Sequence, residues 1–216
     1  TDPGFTLFET LRVEGRRVCR FEAHLARLLG SAAALGFSAS ASAVQAAVDE
    51  VLQTFPADPA QVFRLRVDLS RDGRVSCRSG ALVPLPEGPV RLLGPTGRVP
   101  LQESALLGHK TSLRTAYDAA VRDAEAVGAF DRLFVNADGV LTEGGRSTLL
   151  VRLDGRWTTP PLSAGVLPGV VRSALMADPG WRLSERVLWP AELPRAEALA
   201  VCNALRGVLP AVLGSI

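Results

Sequence analysis

The chain has 216 residues, of which 47% are hydrophobic and 21% charged, and its formal net charge is +2. These values are typical of one large or two small globular domains, and they exclude a disordered chain. They also exclude a strongly basic surface for nucleic acid or an anionic membrane, and no apolar run is long enough to span a bilayer.

The first 80 residues combine strand and helix patterns. Strands are predicted at residues 5–13, 16–21, 63–69 and 74–78, and helices at 22–37 and in a segment that begins after Ser42 as its N-cap. Apolar and charged side chains alternate over residues 63–69. This alternation places Arg66 on the polar face of a half-buried strand.

A proline-rich segment, residues 84–100, separates this part from the rest of the chain, and its five prolines are typical of a connection between domains. Beyond it, helices are predicted at 113–127 and 170–176, and strands at 132–136, 140–143, 148–153, 156–159 and 198–202. Hairpins and helices mix within each half. The predicted fold class is therefore α+β, with a small domain over residues 1–86 and a larger, barrel-like domain over residues 87–216.

Cysteines and histidines are few and scattered. The cysteines Cys19, Cys77 and Cys202 are widely spaced, which argues against a disulfide framework and favours a reducing, cytoplasmic location. Two histidines and no paired cysteine spacing leave no pattern for a metal centre. We therefore predict a cytoplasmic protein that binds no metal ion.

The basic residues show an unusual bias. The 24 of them are 23 arginines and a single lysine, Lys110, which lies in the segment LLGHKTS at residues 106–112. A preference for arginine explains why lysines are missing from the surface, but it does not explain why one remains. On this observation alone, a leftover surface lysine and a functional lysine are equally open interpretations.

Two further features could act together with Lys110. Glu143 follows a predicted hairpin, and residues 165–172 lead into a helix whose first N–H groups favour an anion such as phosphate. A lysine, a carboxylate and a phosphate cradle are the parts of a pyridoxal phosphate site. Each feature is weak when it is taken alone.

Six segments in one order carry a family resemblance. They are FTLFETLR at 5–12, RFEAHLARL at 20–28, HKT at 109–111, TEGGRS at 142–147, GVLPGVVR at 165–172 and CNALRG at 202–207. Together they resemble the class IV aminotransferase family, the fold-type IV pyridoxal phosphate enzymes, and within it the 4-amino-4-deoxychorismate lyases. The resemblance covers nearly the whole chain, which makes it more specific than any single motif.

The resemblance implies a two-domain fold like that of D-amino acid and branched-chain aminotransferases, with pyridoxal 5'-phosphate in the cleft between the domains. Lys110 would form the Schiff base with the cofactor, and Glu143 would pair with the pyridine nitrogen. Arg27 would hold the phosphate together with the backbone N–H groups of Val170 and Val171. From the residues alone, Arg27 would instead be a charge on a solvated helix face.

Two more arginines match family positions near the substrate. Arg66 would contact the substrate and Arg206 a substrate carboxylate, whereas the alternatives are an exposed strand charge and an ordinary loop arginine. Tyr117 is expected to pack in the core. The chain has Thr148 where family members usually carry asparagine.

The predicted reaction converts 4-amino-4-deoxychorismate, a small molecule, to 4-aminobenzoate and pyruvate, a step towards folate. A branched-chain or D-amino acid transaminase remains the main alternative, and a cofactor-free partner domain of a synthase is a third. The resemblance also implies a homodimer, with a possible fusion or association with aminodeoxychorismate synthase.

Overall fold

The computed structural model describes residues 4–96 and 104–214. The chain divides into two compact units. The first contains Thr1–Leu85 and His109–Leu113, and the second contains Pro86–Gly108 and Arg114–Ile216. The short segment that includes Lys110 therefore packs with the first unit, although it lies in the second half of the sequence.

The first unit is built on an antiparallel sheet with the strand order β2-β1-β3-β4. Its strands are β1 Leu7–Glu14, β2 Arg17–Val18, β3 Val62–Leu69 and β4 Val75–Ala81. The alternation of apolar and polar residues along β1 and β3 gives the sheet two different faces. One face packs on two helices, and the other carries several charged side chains.

Helix α1 spans Phe21–Leu35 and helix α2 spans Ala41–Gln53. Gly36 ends α1 in the left-handed region, with φ 69°, which is a conformation that glycine adopts without strain. The prediction of Ser42 as the N-cap of α2 is wrong. The cap is Ser40, whose extended backbone lets its Oγ accept the Ala43 N–H at 3.3 Å.

The core of the first unit lies between its sheet and its helices. Leucines and valines of the strands face apolar residues of both helices there, and the buried side chains of this core are Leu7, Leu11, Val13, Leu28, Ala32, Phe37, Val44, Val48, Phe55, Leu65, Val67 and Leu69. Burial of this apolar surface is the main source of stability for the unit.

The second unit is built on an eight-stranded mixed sheet with the order β10-β9-β8-β11-β12-β5-β6-β7. The strands are β5 Val90–Leu93, β6 Asp131–Val135, β7 Leu141–Gly144, β8 Thr148–Leu153, β9 Arg156–Thr159, β10 Ser184–Glu185, β11 Ala198–Asn203 and β12 Gly207–Leu213. Strand β12 was not predicted. It contains Pro210 and buries only Ala211, so it lacks the periodic pattern of a strand.

Two α-helices belong to this unit, α3 at Thr115–Ala126 and α4 at Val170–Ala177, together with 3₁₀ turns at Ser104–Leu106, Leu162–Ala164 and Pro190–Arg195. Helices thus occur together with an antiparallel sheet in the first unit and with a mixed sheet in the second, which confirms the predicted α+β class. Within the described parts of the chain, no helix combines the length and apolar character needed to cross a membrane.

Candidate active site

Lys110 lies on a short extended segment that pairs with the start of β1. Thr111 forms an antiparallel bridge with Leu7, and the Phe8 N–H donates to the Lys110 carbonyl at 3.0 Å. Residues that lie opposite each other in an antiparallel pair point to the same face of a sheet. Lys110 and Phe8 therefore share the face that the helices leave uncovered.

Arg66 shares this face with Lys110. Phe8 pairs with Asp68, and Arg66 lies two residues before Asp68 on β3. The Lys110 Nζ is 4.6 Å from the centroid of the Phe8 ring, and the guanidinium carbon of Arg66 is 3.8 Å from it. Both side chains thus contact one aromatic ring, whose π-electrons attract the positive charge of Arg66.

Asp68 fixes the direction of the Arg66 side chain. Arg66 Nη2 donates to Asp68 Oδ1 at 2.7 Å, and Arg66 Nε donates to Oδ2 at 2.9 Å. Burial raises the pKa of the Asp68 carboxyl, but hydrogen bonds from Arg66, Arg78 and Thr6 outweigh burial and lower this pKa overall. Asp68 is therefore ionised at neutral pH and holds Arg66 beside Phe8.

Arg27 is bound to a buried carboxylate that sequence reasoning missed. Its Nε donates to Glu9 Oε1 at 2.8 Å and its Nη2 to Glu9 Oε2 at 2.6 Å, and His24 Nδ1 lies 2.7 Å from Oε2. Burial raises the pKa of Glu9, but the bonds from Arg27 and His24 lower it to about 2. The sequence does indicate that Glu9 is buried, because it alternates with Leu7 and Leu11 and therefore lies on the apolar face of the strand.

This carboxylate makes the stability of the protein sensitive to acid. The pKa of Glu9 is about 2 in the folded chain against an ordinary 4.5, so the ion pair stabilises the fold above pH 4.5 and is lost as the pH falls towards 2. The shift corresponds to about 3 kcal/mol. We expect Glu9→Gln to flatten the decrease in unfolding free energy over this range, measured by urea denaturation at several pH values. Equal pH slopes for both proteins would contradict this prediction.

In the second unit, Glu143 lies on β7 and is half-buried. Its Oε2 accepts the Leu167 N–H at 3.0 Å, and the Tyr117 hydroxyl donates to its Oε1 at 3.4 Å. Tyr117 packs against Phe134, as its predicted core role requires, but its hydroxyl also contacts the predicted site carboxylate. Burial, followed by the charge of Glu143, raises the pKa of Tyr117, so this hydroxyl stays protonated and can donate.

The two glycines after Glu143 make room for a second buried acid, Asp131. A Cβ at Gly144 would overlap the Asp131 carboxylate, and one at Gly145 would lie 2.7 Å from a methyl of Val121. Asp131 accepts the Ser147 hydroxyl at 2.6 Å and the Gly145 N–H at 2.8 Å. The sequence TEGGRS is thus a tightly closed turn that holds the end of β7 in place.

Helix α4 begins at Val170, directly after Gly169. Gly169 provides no side-chain cap, and the first N–H groups of an α-helix, here those of Val170 and Val171, have no acceptor within the helix. A Cβ at Gly169 would lie 3.0 Å from Thr148 Oγ1, so a larger residue would crowd this helix start. The chemistry of these groups suits a phosphate.

Arg206 lies in the turn between β11 and β12. Its N–H donates to Asn203 Oδ1 at 2.9 Å, and Asn203 Nδ2 donates to the Arg146 carbonyl at 3.2 Å. These bonds tie the turn to the segment that follows Glu143. The first unit thus brings Lys110 and Arg66 together, and the second unit contains Glu143, Arg206 and the start of α4.

The fold corresponds to that of one enzyme family. A family model for amino-transferase class IV matches residues 6–213. The chain belongs to the class IV aminotransferase family. Enzymes of this family use pyridoxal phosphate, act on small molecules and are typically dimers, which confirms the predicted cofactor and argues against a cofactor-free partner domain.

Two relatives carry lyase names. The chain is 26% identical over 211 residues to a Schizosaccharomyces pombe protein named "Putative aminodeoxychorismate lyase", covering 96% of this chain and 89% of the relative. It is 30% identical over 195 residues to the "Bifunctional aminodeoxychorismate lyase / D-amino acid transaminase" of Mycobacterium tuberculosis, covering 80% of this chain and 68% of the relative.

Solved structures have the same fold. A "Putative amino-acid aminotransferase" from Mesorhizobium loti has a TM-score of 0.86 and 34% identity, covering 97% of this chain and all of the other. A hypothetical aminotransferase from Mycobacterium tuberculosis in its PLP-bound form has a TM-score of 0.79 and 26% identity, covering 96% of this chain and 81% of the other.

Proposed function

We propose that this protein converts 4-amino-4-deoxychorismate to 4-aminobenzoate and pyruvate. The observation that carries the proposal is the match along 96% of the chain to a relative named as an aminodeoxychorismate lyase. The second relative with a lyase name supports it. The amino-acid sequences of the segments at residues 5–12, 109–111 and 202–207 resemble those of lyases and support the same activity.

The residues present fit pyridoxal phosphate. Lys110, the single lysine of the chain, would bind the cofactor aldehyde, and Arg27 would bind the phosphate. Glu143 would pair with the ring nitrogen, and the N–H groups of Val170 and Val171 would bind the phosphate. An amine, a carboxylate and two anion-binding groups are the donor set that this cofactor requires.

When it is bound, pyridoxal phosphate supplies an electron-accepting ring next to the amine-bearing carbon of the substrate. The Lys110 Nζ, which lies 4.6 Å from the centroid of the Phe8 ring, accepts the proton from that carbon in its neutral amine form. Glu143 keeps a proton on the ring nitrogen, and Tyr117 and the Leu167 N–H hold the two oxygens of this carboxylate in place. Loss of the enolpyruvyl group, protonated on leaving as pyruvate, makes the substrate ring aromatic.

Two arginines are proposed to bind the substrate, which carries two carboxylates. Arg66 lies on the same sheet face as Lys110, and Asp68 fixes its orientation. Arg206 lies in a turn that Asn203 holds. A guanidinium binds a carboxylate through two parallel hydrogen bonds, so each arginine can orient one carboxylate as well as attract it.

An amino-acid transaminase is the second candidate. The Mesorhizobium loti structure with an amino-acid aminotransferase name and the bifunctional relative favour it. Both reactions use the same lysine, carboxylate and phosphate-binding groups, so these residues do not distinguish them. The two reactions differ in their need for a 2-oxo acid as amino acceptor.

Pyruvate release separates the two candidates. The purified protein, supplied with pyridoxal phosphate and 4-amino-4-deoxychorismate but no 2-oxo acid, is expected to release pyruvate and 4-aminobenzoate in equal amounts. A coupled lactate dehydrogenase assay measures the first product, and chromatography measures the second. Absence of both products from a cofactor-loaded protein, with turnover of D- or branched-chain amino acids once a 2-oxo acid is added, would replace the lyase by the transaminase.

We further propose that the protein acts as a cytoplasmic homodimer. Among the described residues, Cys19, Cys77 and Cys202 form no disulfide with one another, which is typical of a reducing compartment. A twofold pair is the commonest assembly of soluble enzymes. Light scattering after size exclusion would measure the oligomeric state directly.

A further inference from the structure

Glu9 is an isolated acid in an apolar environment. It lies on β1 in phase with Leu7, Leu11 and Val13, on the face that packs against the helices, and it is only 2% exposed. A buried charge requires a partner for each of its oxygens. An apolar side chain of similar size would commonly stabilise such a position equally well. Stability alone therefore does not explain a glutamate here.

Every contact described for the Glu9 carboxylate comes from one helix. Arg27 donates from Nε to Oε1 and from Nη2 to Oε2, and His24, three residues earlier on α1, provides the third contact through Nδ1 at 2.7 Å. Because an ionised carboxylate only accepts, His24 Nδ1 is the donor in this contact. Two parallel bonds fix the plane of a guanidinium as well as its position.

The hydrogen bonding of the His24 imidazole favours a role in orienting Glu9. Its Nε2 is buried and has no hydrogen-bond partner among the residues that the structure describes. A buried polar atom without a partner is unfavourable, so the imidazole is not arranged to satisfy its own hydrogen bonding. Within residues 4–96 and 104–214, the one polar contact of this imidazole is the bond to Glu9, which orients the carboxylate that in turn orients Arg27.

We propose that Glu9 and His24 are positioning residues that hold the Arg27 guanidinium in the orientation required to bind the cofactor phosphate. This inference rests on the proposed function, which assigns the phosphate to Arg27. Glu9 does not contact the cofactor in this proposal. The Glu9 carboxylate is negative and repels the negative phosphate. Its contribution is therefore the orientation of Arg27 and not added attraction.

The test compares pyridoxal phosphate with pyridoxal, which lacks the phosphate. Calorimetry on the full chain gives both dissociation constants. We define the phosphate advantage as the dissociation constant of pyridoxal divided by that of pyridoxal phosphate. We expect Glu9→Gln to reduce this ratio about tenfold, the effect of losing one charge-assisted hydrogen bond, and to leave pyridoxal affinity within about twofold of the wild type. A role confined to stability would not change the ratio.

Glu14→Gln is the matched control. Glu14 lies at the end of the same strand and also pairs with arginines, Arg12 at 2.9 Å and Arg17 at 2.7 Å, but it has no bond to Arg27. Its phosphate advantage is expected to equal that of the wild type. If Glu9→Gln does not fold, the His24→Leu variant provides the test. We expect it to reduce the phosphate advantage about threefold. An unchanged phosphate advantage in a folded His24→Leu variant would contradict the proposal.

The Arg27→Gln variant distinguishes failure of the proposed phosphate assignment from failure of the positioning inference. If this variant keeps the full phosphate advantage, the assignment of the phosphate to Arg27 is wrong, and the inference falls with it. If Arg27→Gln loses the advantage while Glu9→Gln keeps or increases it, only the positioning inference is overturned. An equal loss of pyridoxal and pyridoxal phosphate affinity in Glu9→Gln would also overturn it.

Discussion

Replacing Lys110 with alanine is expected to lower turnover by at least about 10³-fold, because it removes both the amine that binds the cofactor aldehyde and the proposed base. Lys110 is the single lysine of the chain, so no neighbouring lysine can substitute for it. The same feature gives a second measurement. Borohydride reduction of the cofactor-loaded wild type should fix the cofactor at a lysine side chain, and mass spectrometry should locate it at residue 110.

Lys110→Arg is the appropriate control for this experiment. It keeps a cation near the Phe8 ring, which lies 4.6 Å from the lysine nitrogen, but arginine neither forms the covalent link nor acts as a base at neutral pH. Both variants should keep the fold, since the backbone of the segment is bonded to β1 through the Lys110 carbonyl. An alanine variant that retains turnover and the absorbance of the bound cofactor would refute the proposed role.

Replacing Glu143 with glutamine is expected to slow the reaction roughly 10²- to 10³-fold while the cofactor stays bound. The neutral amide keeps the shape of the side chain but cannot stabilise a positive ring nitrogen. The Leu167 N–H can still donate to the amide oxygen, whereas the Tyr117 hydroxyl loses a charged acceptor. Steady-state kinetics together with cofactor titration would measure both effects.

Glu197→Gln is a matched control for Glu143→Gln. Glu197 belongs to the same unit and accepts the Gly155 N–H at 2.8 Å, a bond that glutamine can keep. It has no assigned part in the reaction, so kcat should stay within about twofold of the wild type. Near-normal turnover of Glu143→Gln, or a loss that cofactor release explains fully, would contradict the role assigned to Glu143.

Local periodicity predicted most of the elements. Strands β8 and β9, Thr148–Leu153 and Arg156–Thr159, match their predicted limits because the Asp-Gly turn at residues 154–155 separates them. The error at the start of α2 has a local cause, since Ser40 and Ser42 are both good caps and the extended backbone of Ser40 decides between them. Strand β12 was missed because its stability comes from its neighbours β11 and β5 and not from its own pattern.

The sequence predicted some residues of the candidate site but not the buried acids Glu9 and Asp131. Segment order and residue type singled out Lys110, Glu143 and the start of α4, because their chemistry is local to short motifs. Glu9 was overlooked, although its position among apolar residues was visible in the sequence. Asp131 left no such signal, since only the folded chain brings it against Gly144 and Gly145.

The sequence by itself determined the residue types of the candidate site, their order along the chain and most of the helices and strands that carry them, because these depend on contacts within a few residues. Tertiary structure alone decided which side chains meet. Lys110 and Arg66 both reach Phe8, Arg27 reaches Glu9, and Tyr117 reaches Glu143 through pairings between residues far apart in the chain. Such contacts depend on strand register and on the path of the chain between the two units, and a register shift of one residue would turn every side chain of a strand to the opposite face.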